Sequence, residues 1–116
     1  MPDSLQSLTA ALQAFARERD WEPFHSPKNL ASALVVEAGE LLEHFQWLTE
    51  DQSRQLAAPA RDEVAAEMAD VLLYLLQLSS ALGVDLVAAA QAKMKANALK
   101  YPVARARGTA ARPDAP

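Results

Sequence analysis

The chain has 116 residues, 51% of them hydrophobic, a formal charge of −4 at pH 7 and no cysteine. That length suits one domain with one modest core, and the missing thiols exclude both a disulfide framework and a thiolate metal site. The acidic balance argues against stable nucleic-acid binding, which depends on Lys and Arg neutralising phosphates.

The opening MPDSLQSL has no basic region followed by an apolar run. No window reaches the eighteen or so apolar residues of a membrane span, so a cytoplasmic protein with no membrane partner is expected.

Leu5, Leu8, Leu12 and Phe15 recur at steps of three and four and predict a first helix over about residues 4–20. DWEPFHSPKN breaks it. Ser26 before Pro27 is a cap and first-turn pair, predicting a second helix over about residues 27–48. A polar connection follows. A third helix is expected from near Pro59 to Leu82, where Gly83 can end it in a left-handed conformation. Asp85 can cap a fourth, which Pro102 stops after about Lys100. The expected domain is residues 1–102, followed over 103–116 by a flexible tail rich in Pro, Ala and Arg. With no strand pattern, the fold class is all-α, a four-helix bundle.

On the third helix Val64, Met68, Val71, Leu75, Leu78 and Leu82 form one stripe, while Leu72, Leu73 and Leu76 populate other sides. A helix apolar around most of its circumference is buried on several sides, and so small a chain can hardly cover it alone. The expectation is a homo-oligomer with this helix at its centre.

On the second helix Leu30, Leu34, Leu41, Phe45 and Leu48 face the core, and Glu37, Glu40, His44 and Trp47 occupy the adjoining strip. On the third, Glu63, Glu67, Asp70 and Tyr74 form a similar strip at steps of four, three and four. Acidic strips on helices are ordinarily solvated faces. Here the carboxylates border apolar neighbours, where mutual repulsion and lost hydration raise their pKa values unless a cation compensates. Oxygen ligands without Cys or a paired His favour Mg²⁺ or Mn²⁺ over Zn²⁺. A di-iron bundle would want Glu-x-x-His, whereas Leu41 stands three residues before His44.

Glu37-Ala-Gly-Glu40 followed by Glu67-Met-Ala-Asp70 resembles the ExxE and ExxD motifs of the all-α NTP pyrophosphohydrolase superfamily, also called MazG-like. Within it the chain resembles the small dCTP pyrophosphatases over about residues 8–102, through RDWEPFHSPKNLASALVVEAGELLEHFQW, ADVLLYLL, GVDL and KMKANALKYP.

The resemblance implies hydrolysis of a nucleoside triphosphate between its α and β phosphates. Glu37, Glu40, Glu67 and Asp70 would hold Mg²⁺, and Glu37 and Glu40 are the candidates to take the proton from water. Lys93, Asn97 and Lys100, on one face of the fourth helix, match the family's phosphate-binding positions; Lys28 and Asn29 are weaker candidates. The resemblance further implies that Trp21, His25, Trp47 and Tyr74 help enclose a cytosine-like base, where stacking is worth ~1–3 kcal/mol. The family also implies a homotetramer, a dimer of dimers. Two positions depart from the pattern: His44 stands where the family has an apolar residue, and Glu63 adds an acid. The expected substrate is dCTP or a 5-modified dCTP. A broader NTP or dUTP specificity, or a non-catalytic helical partner-binding protein, are the alternatives.

Overall fold

The computed structural model describes residues 4–110. Among these the chain is all-α, as expected, and forms two compact units that meet in sequence between Gly83 and Val84.

The first unit holds α1 (Leu5–Glu18), a 3₁₀ turn (Glu22–Phe24), α2 (Pro27–Glu43), one-turn α3 (Glu50–Ser53) and α4 (Ala58–Leu82). Ser4 begins α1 by accepting from the Ser7 amide. At its end Asp20 takes a left-handed φ of 54°, and the Trp21 amide turns back to the Ala16 carbonyl at 3.0 Å. Aspartate tolerates that region better than most residues, so this Schellman-type reversal forms without glycine. It folds Trp21 back beside Phe15, ring centroids 5.7 Å apart and edge to face.

Ser26 caps α2 through the Asn29 amide, and Pro27 opens its first turn. Asn29 is further committed locally, since its Nδ2 donates to the Phe24 carbonyl at 3.1 Å. The helix ends at Glu43 rather than near Leu48: the amides of Phe45 and Leu48 bond back three residues, to the Leu42 and Phe45 carbonyls, in successive tight turns. No Gly or Pro marks that end, so the sequence gives no warning of it. The connection expected to be irregular contains α3, made by a Thr49–Gln52 capping box.

α4 packs along α2 and against α1, and Gln13 Nε2 on α1 donates to Ser80 Oγ on α4 at 2.6 Å. Gly83 ends α4 at φ 66°, as expected. Its buried side is not the whole of the predicted stripe. Val64, Leu76 and Ser79 are buried, whereas Met68 and Leu82 from that stripe are more than half exposed. By length and composition α4 is also apolar enough to cross a membrane, which corrects the expectation that no segment qualifies. The reason is that its charged residues all fall between Arg61 and Asp70, leaving the stretch to Leu82 uncharged and apolar around most of the helix.

The second unit contains α5 (Leu86–Lys100), capped by Asp85 through the Ala88 amide, and one-turn α6 (Val103–Ala106). The segment expected to be a tail therefore starts with a helical turn, and its residues 111–116 lie outside the described ones.

Candidate metal centre

The α2–α4 contact brings two acidic strips face to face. One carboxylate oxygen each from Glu37, Glu67 and Asp70 lie within 4.8 Å of one another. Oxygens on opposite sides of a Mg²⁺ stand about 4.2 Å apart, twice its bond length, so the three groups are close to ligand spacing.

Glu40 reaches the same cluster from one turn along α2. Its hydrogen bond to Glu37 is the largest reason that the Glu37 carboxyl is pushed up to about 7 from an ordinary 4.5; burial and the charges of Glu40, Asp70 and Glu67 add to it. Glu67 is raised chiefly by burial, then by the charge of Glu40 and a hydrogen bond to it. His44 acts in the opposite sense on Glu67.

Oε2 of Glu37 and Oε2 of Glu67 are both buried without a hydrogen-bond partner. Two orphaned carboxylate oxygens in one cluster of acids are an arrangement that a cation relieves and little else in the chain can. The donor set is oxygen alone and suits a hard divalent ion.

Next to the cluster runs a groove of about 420 Å³ between α1, the 3₁₀ turn and α4. Asp70 forms part of its wall, together with Trp21, His25, Tyr74 and Gln77, and the rest is mostly apolar. Thus three of the four residues expected to enclose a base share one groove with one of the four carboxylates. The fourth, Trp47, is 87% exposed and outside it. Because α2 stops at Glu43, Trp47 does not continue the helical strip on which the sequence would put it. Lys93, Asn97 and Lys100 fall on α5 in the second unit, all exposed. Lys28 is exposed in the first turn of α2.

Two features escape a reading by motif. His44 has Nδ1 3.9 Å from Glu63 Oε2 and Nε2 3.9 Å from Glu67 Oε1, so the two residues that depart from the family pattern meet each other. Gln77 extends the strip of Glu67, Asp70 and Tyr74 by a further three residues, a spacing that could have signalled it.

The MazG-like family model matches residues 33–112, a span holding all four carboxylates. The chain belongs to the MazG-like family. Among its MazG-like relatives, dCTP pyrophosphatase 1 of Mus musculus is 43% identical over 109 residues, 92% of this chain and 64% of that protein. The Homo sapiens protein of the same name is 42% identical over 108 residues, 91% and 64% of the two chains. The chain thus spans 64% of the length of these curated relatives. A pyrophosphatase of known crystal structure from Archaeoglobus fulgidus superposes with a TM-score of 0.80 at 38% identity, covering 84% of this chain and 92% of that one.

Proposed function

We propose that this MazG-like chain is a Mg²⁺-dependent dNTP pyrophosphohydrolase that cleaves the bond between the α and β phosphates, with dCTP or a 5-modified dCTP as substrate. The observation carrying this reading is the convergence of Glu37, Glu67 and Asp70 within 4.8 Å beside an aromatic groove that Asp70 itself borders. A metal cluster and a base-sized slot sharing a wall suit a nucleotide whose phosphates and base are engaged together. The dCTP pyrophosphatases among the relatives support the choice of base.

In this reading Glu37, Glu40, Glu67 and Asp70 hold the ion; Mn²⁺ would serve the same oxygen donors. When bound, the ion neutralises triphosphate charge and makes water more acidic. Glu37 or Glu40 takes the proton as a water oxygen bonds to phosphorus, and the bridging oxygen leaves with its electron pair on the departing phosphate group. A positioned base of this kind contributes roughly 10²- to 10⁴-fold. Trp21, His25 and Tyr74 receive the base in the groove they share, while for Trp47 only the family resemblance supports a part in enclosing it. For contacts to the outer phosphates, the family resemblance is what puts forward Lys93, Asn97 and Lys100.

The working form is a homotetramer, a dimer of dimers, in the cytoplasm, where it removes particular nucleotides from the pool. Support comes from α4, whose most apolar stretch is only 11% buried, and from Val35, Val36, Leu42 and Met68, all more than half exposed. Apolar surface on this scale marks an interface.

Incubation with a panel of triphosphates and Mg²⁺, with identification of the phosphate released, tests the activity. Pyrophosphate with a monophosphate is expected. Orthophosphate, or no turnover by a folded protein, overturns it.

A further inference from the structure

We propose that Gln77 is a specificity-determining residue that recognises the exocyclic amine of a cytosine-type base, a role that rests on the pyrophosphohydrolase reading above. Gln77 lines the groove that holds Trp21, His25 and Tyr74, and its Oε1 is buried without a hydrogen-bond partner. A buried amide oxygen left unpaired is costly, and what it lacks is a donor. Trp21, His25 and Tyr74 carry donors in the same wall, yet none of them bonds to it, and Leu8, Leu12 and Leu73 have none to give. A base entering the groove can.

The position along the helix fits as well. Gln77 lies seven residues beyond Asp70, about 10 Å at 1.5 Å per residue, with Tyr74 between them on the same strip. A nucleotide whose phosphates are held at the carboxylate cluster and whose ring lies along Tyr74 therefore brings its far edge to Gln77. On cytosine that edge carries an N–H₂ donor beside a ring-nitrogen acceptor; on uracil or thymine the corresponding position is a carbonyl. An amide answers the cytosine edge with both of its ends: Oε1 accepts from the amine and Nε2 donates to the ring nitrogen. With the amide oriented as it is in the structure, a uracil carbonyl faces Oε1 and leaves it unpaired. Sites whose buried polar groups go unpaired with the wrong ligand discriminate strongly against it.

The test crosses residue with substrate. The ratio of kcat/KM for dCTP to that for dUTP is measured for the wild type and for Gln77→Leu, which keeps the side chain's bulk and removes its hydrogen bonds. In the wild type the ratio favours dCTP. In the variant kcat/KM falls about tenfold or more for dCTP and little for dUTP, so the ratio collapses. A second measurement needs no mutation: the wild type is given the triphosphate of the 2-pyrimidinone deoxynucleoside, which lacks the 4-amino group. It should lose about tenfold against dCTP on the wild type and nothing on the variant.

An unchanged ratio in the variant, or turnover of the 2-pyrimidinone analogue equal to that of dCTP by the wild type, overturns the role of Gln77 and leaves the pyrophosphohydrolase reading standing. Failure of the wild type to release pyrophosphate from any triphosphate overturns both.

Discussion

His44 Nε2 stands 3.9 Å from Glu67 Oε1, so the end of α2 touches the acidic strip of α4 at a residue of the proposed metal centre. The imidazole favours the ionised form of Glu67, against burial and against its acidic neighbours. Replacing it should therefore raise the Glu67 carboxyl further and leave it less ready to meet a cation. His44→Leu is expected to weaken Mn²⁺ binding by about tenfold near neutral pH, a typical cost of losing a residue that supports a ligand. The deficit should shrink as pH rises and Glu67 ionises without that help. Calorimetric titration with Mn²⁺ at two pH values reads both effects, and equal affinities near neutrality would remove His44 from the metal centre.

Glu37 makes the metal-free protein sensitive to pH. Its carboxyl sits at about 7 in the fold against an ordinary 4.5, so between those values the folded state binds more of this proton than the unfolded state does. The contribution to stability is complete below about 4.5 and is lost as pH rises toward 7. Compared with Glu37→Gln, the wild type in chelator should lose melting temperature across that window. Saturating Mg²⁺ should flatten the difference. Parallel melting curves for wild type and variant would contradict the raised value.

The left-handed end of α4 offers a test of stability alone. Gly83 has φ 66°, and a methyl group built there meets nothing within 4 Å. Any cost of Gly83→Ala is thus purely that of the backbone, about 1–2 kcal/mol. Denaturant unfolding should show this loss with the slope unchanged, and a neutral result would mean that the helix end rearranges.

The four long helices were legible because apolar spacing shows α1, Ser26-Pro27 opens α2, Gly83 ends α4 and Asp85 caps α5. The end of α2 was not, because successive tight turns after Glu43 are held by backbone bonds that leave no residue signature. That single miss moved Trp47 off its expected strip and out of the groove. The acidic strips could be read from helical spacing, yet spacing cannot say which helices face each other. Only the packing of α2 on α4 turns two strips into one cluster. His44 meets Glu63 only through that packing, and the groove at Gln77 forms only where α1 packs on α4, so neither contact could be read from spacing alone.

Glu40 carries two opposed effects that one substitution can separate. In the metal-free protein its hydrogen bond is the largest reason Glu37 is raised, followed by burial and then by its charge, and its charge is the second cause for Glu67. Glu40→Gln removes that charge and leaves an amide that can donate to Glu37, so the cluster without metal becomes less strained at neutral pH. With Mg²⁺ present the same change takes away a charged oxygen from the ion and weakens the set that holds it. The variant should therefore melt higher than wild type in chelator and gain less from added Mg²⁺, so that the order of stability reverses between the two conditions. Turnover should drop by roughly 10²- to 10⁴-fold, the scale of a lost catalytic base. Thermal melts with and without Mg²⁺, set beside a pyrophosphate-release assay, examine all three outcomes on one protein. Near-normal turnover, or a variant that gains as much from Mg²⁺ as the wild type, would move the reaction away from this cluster.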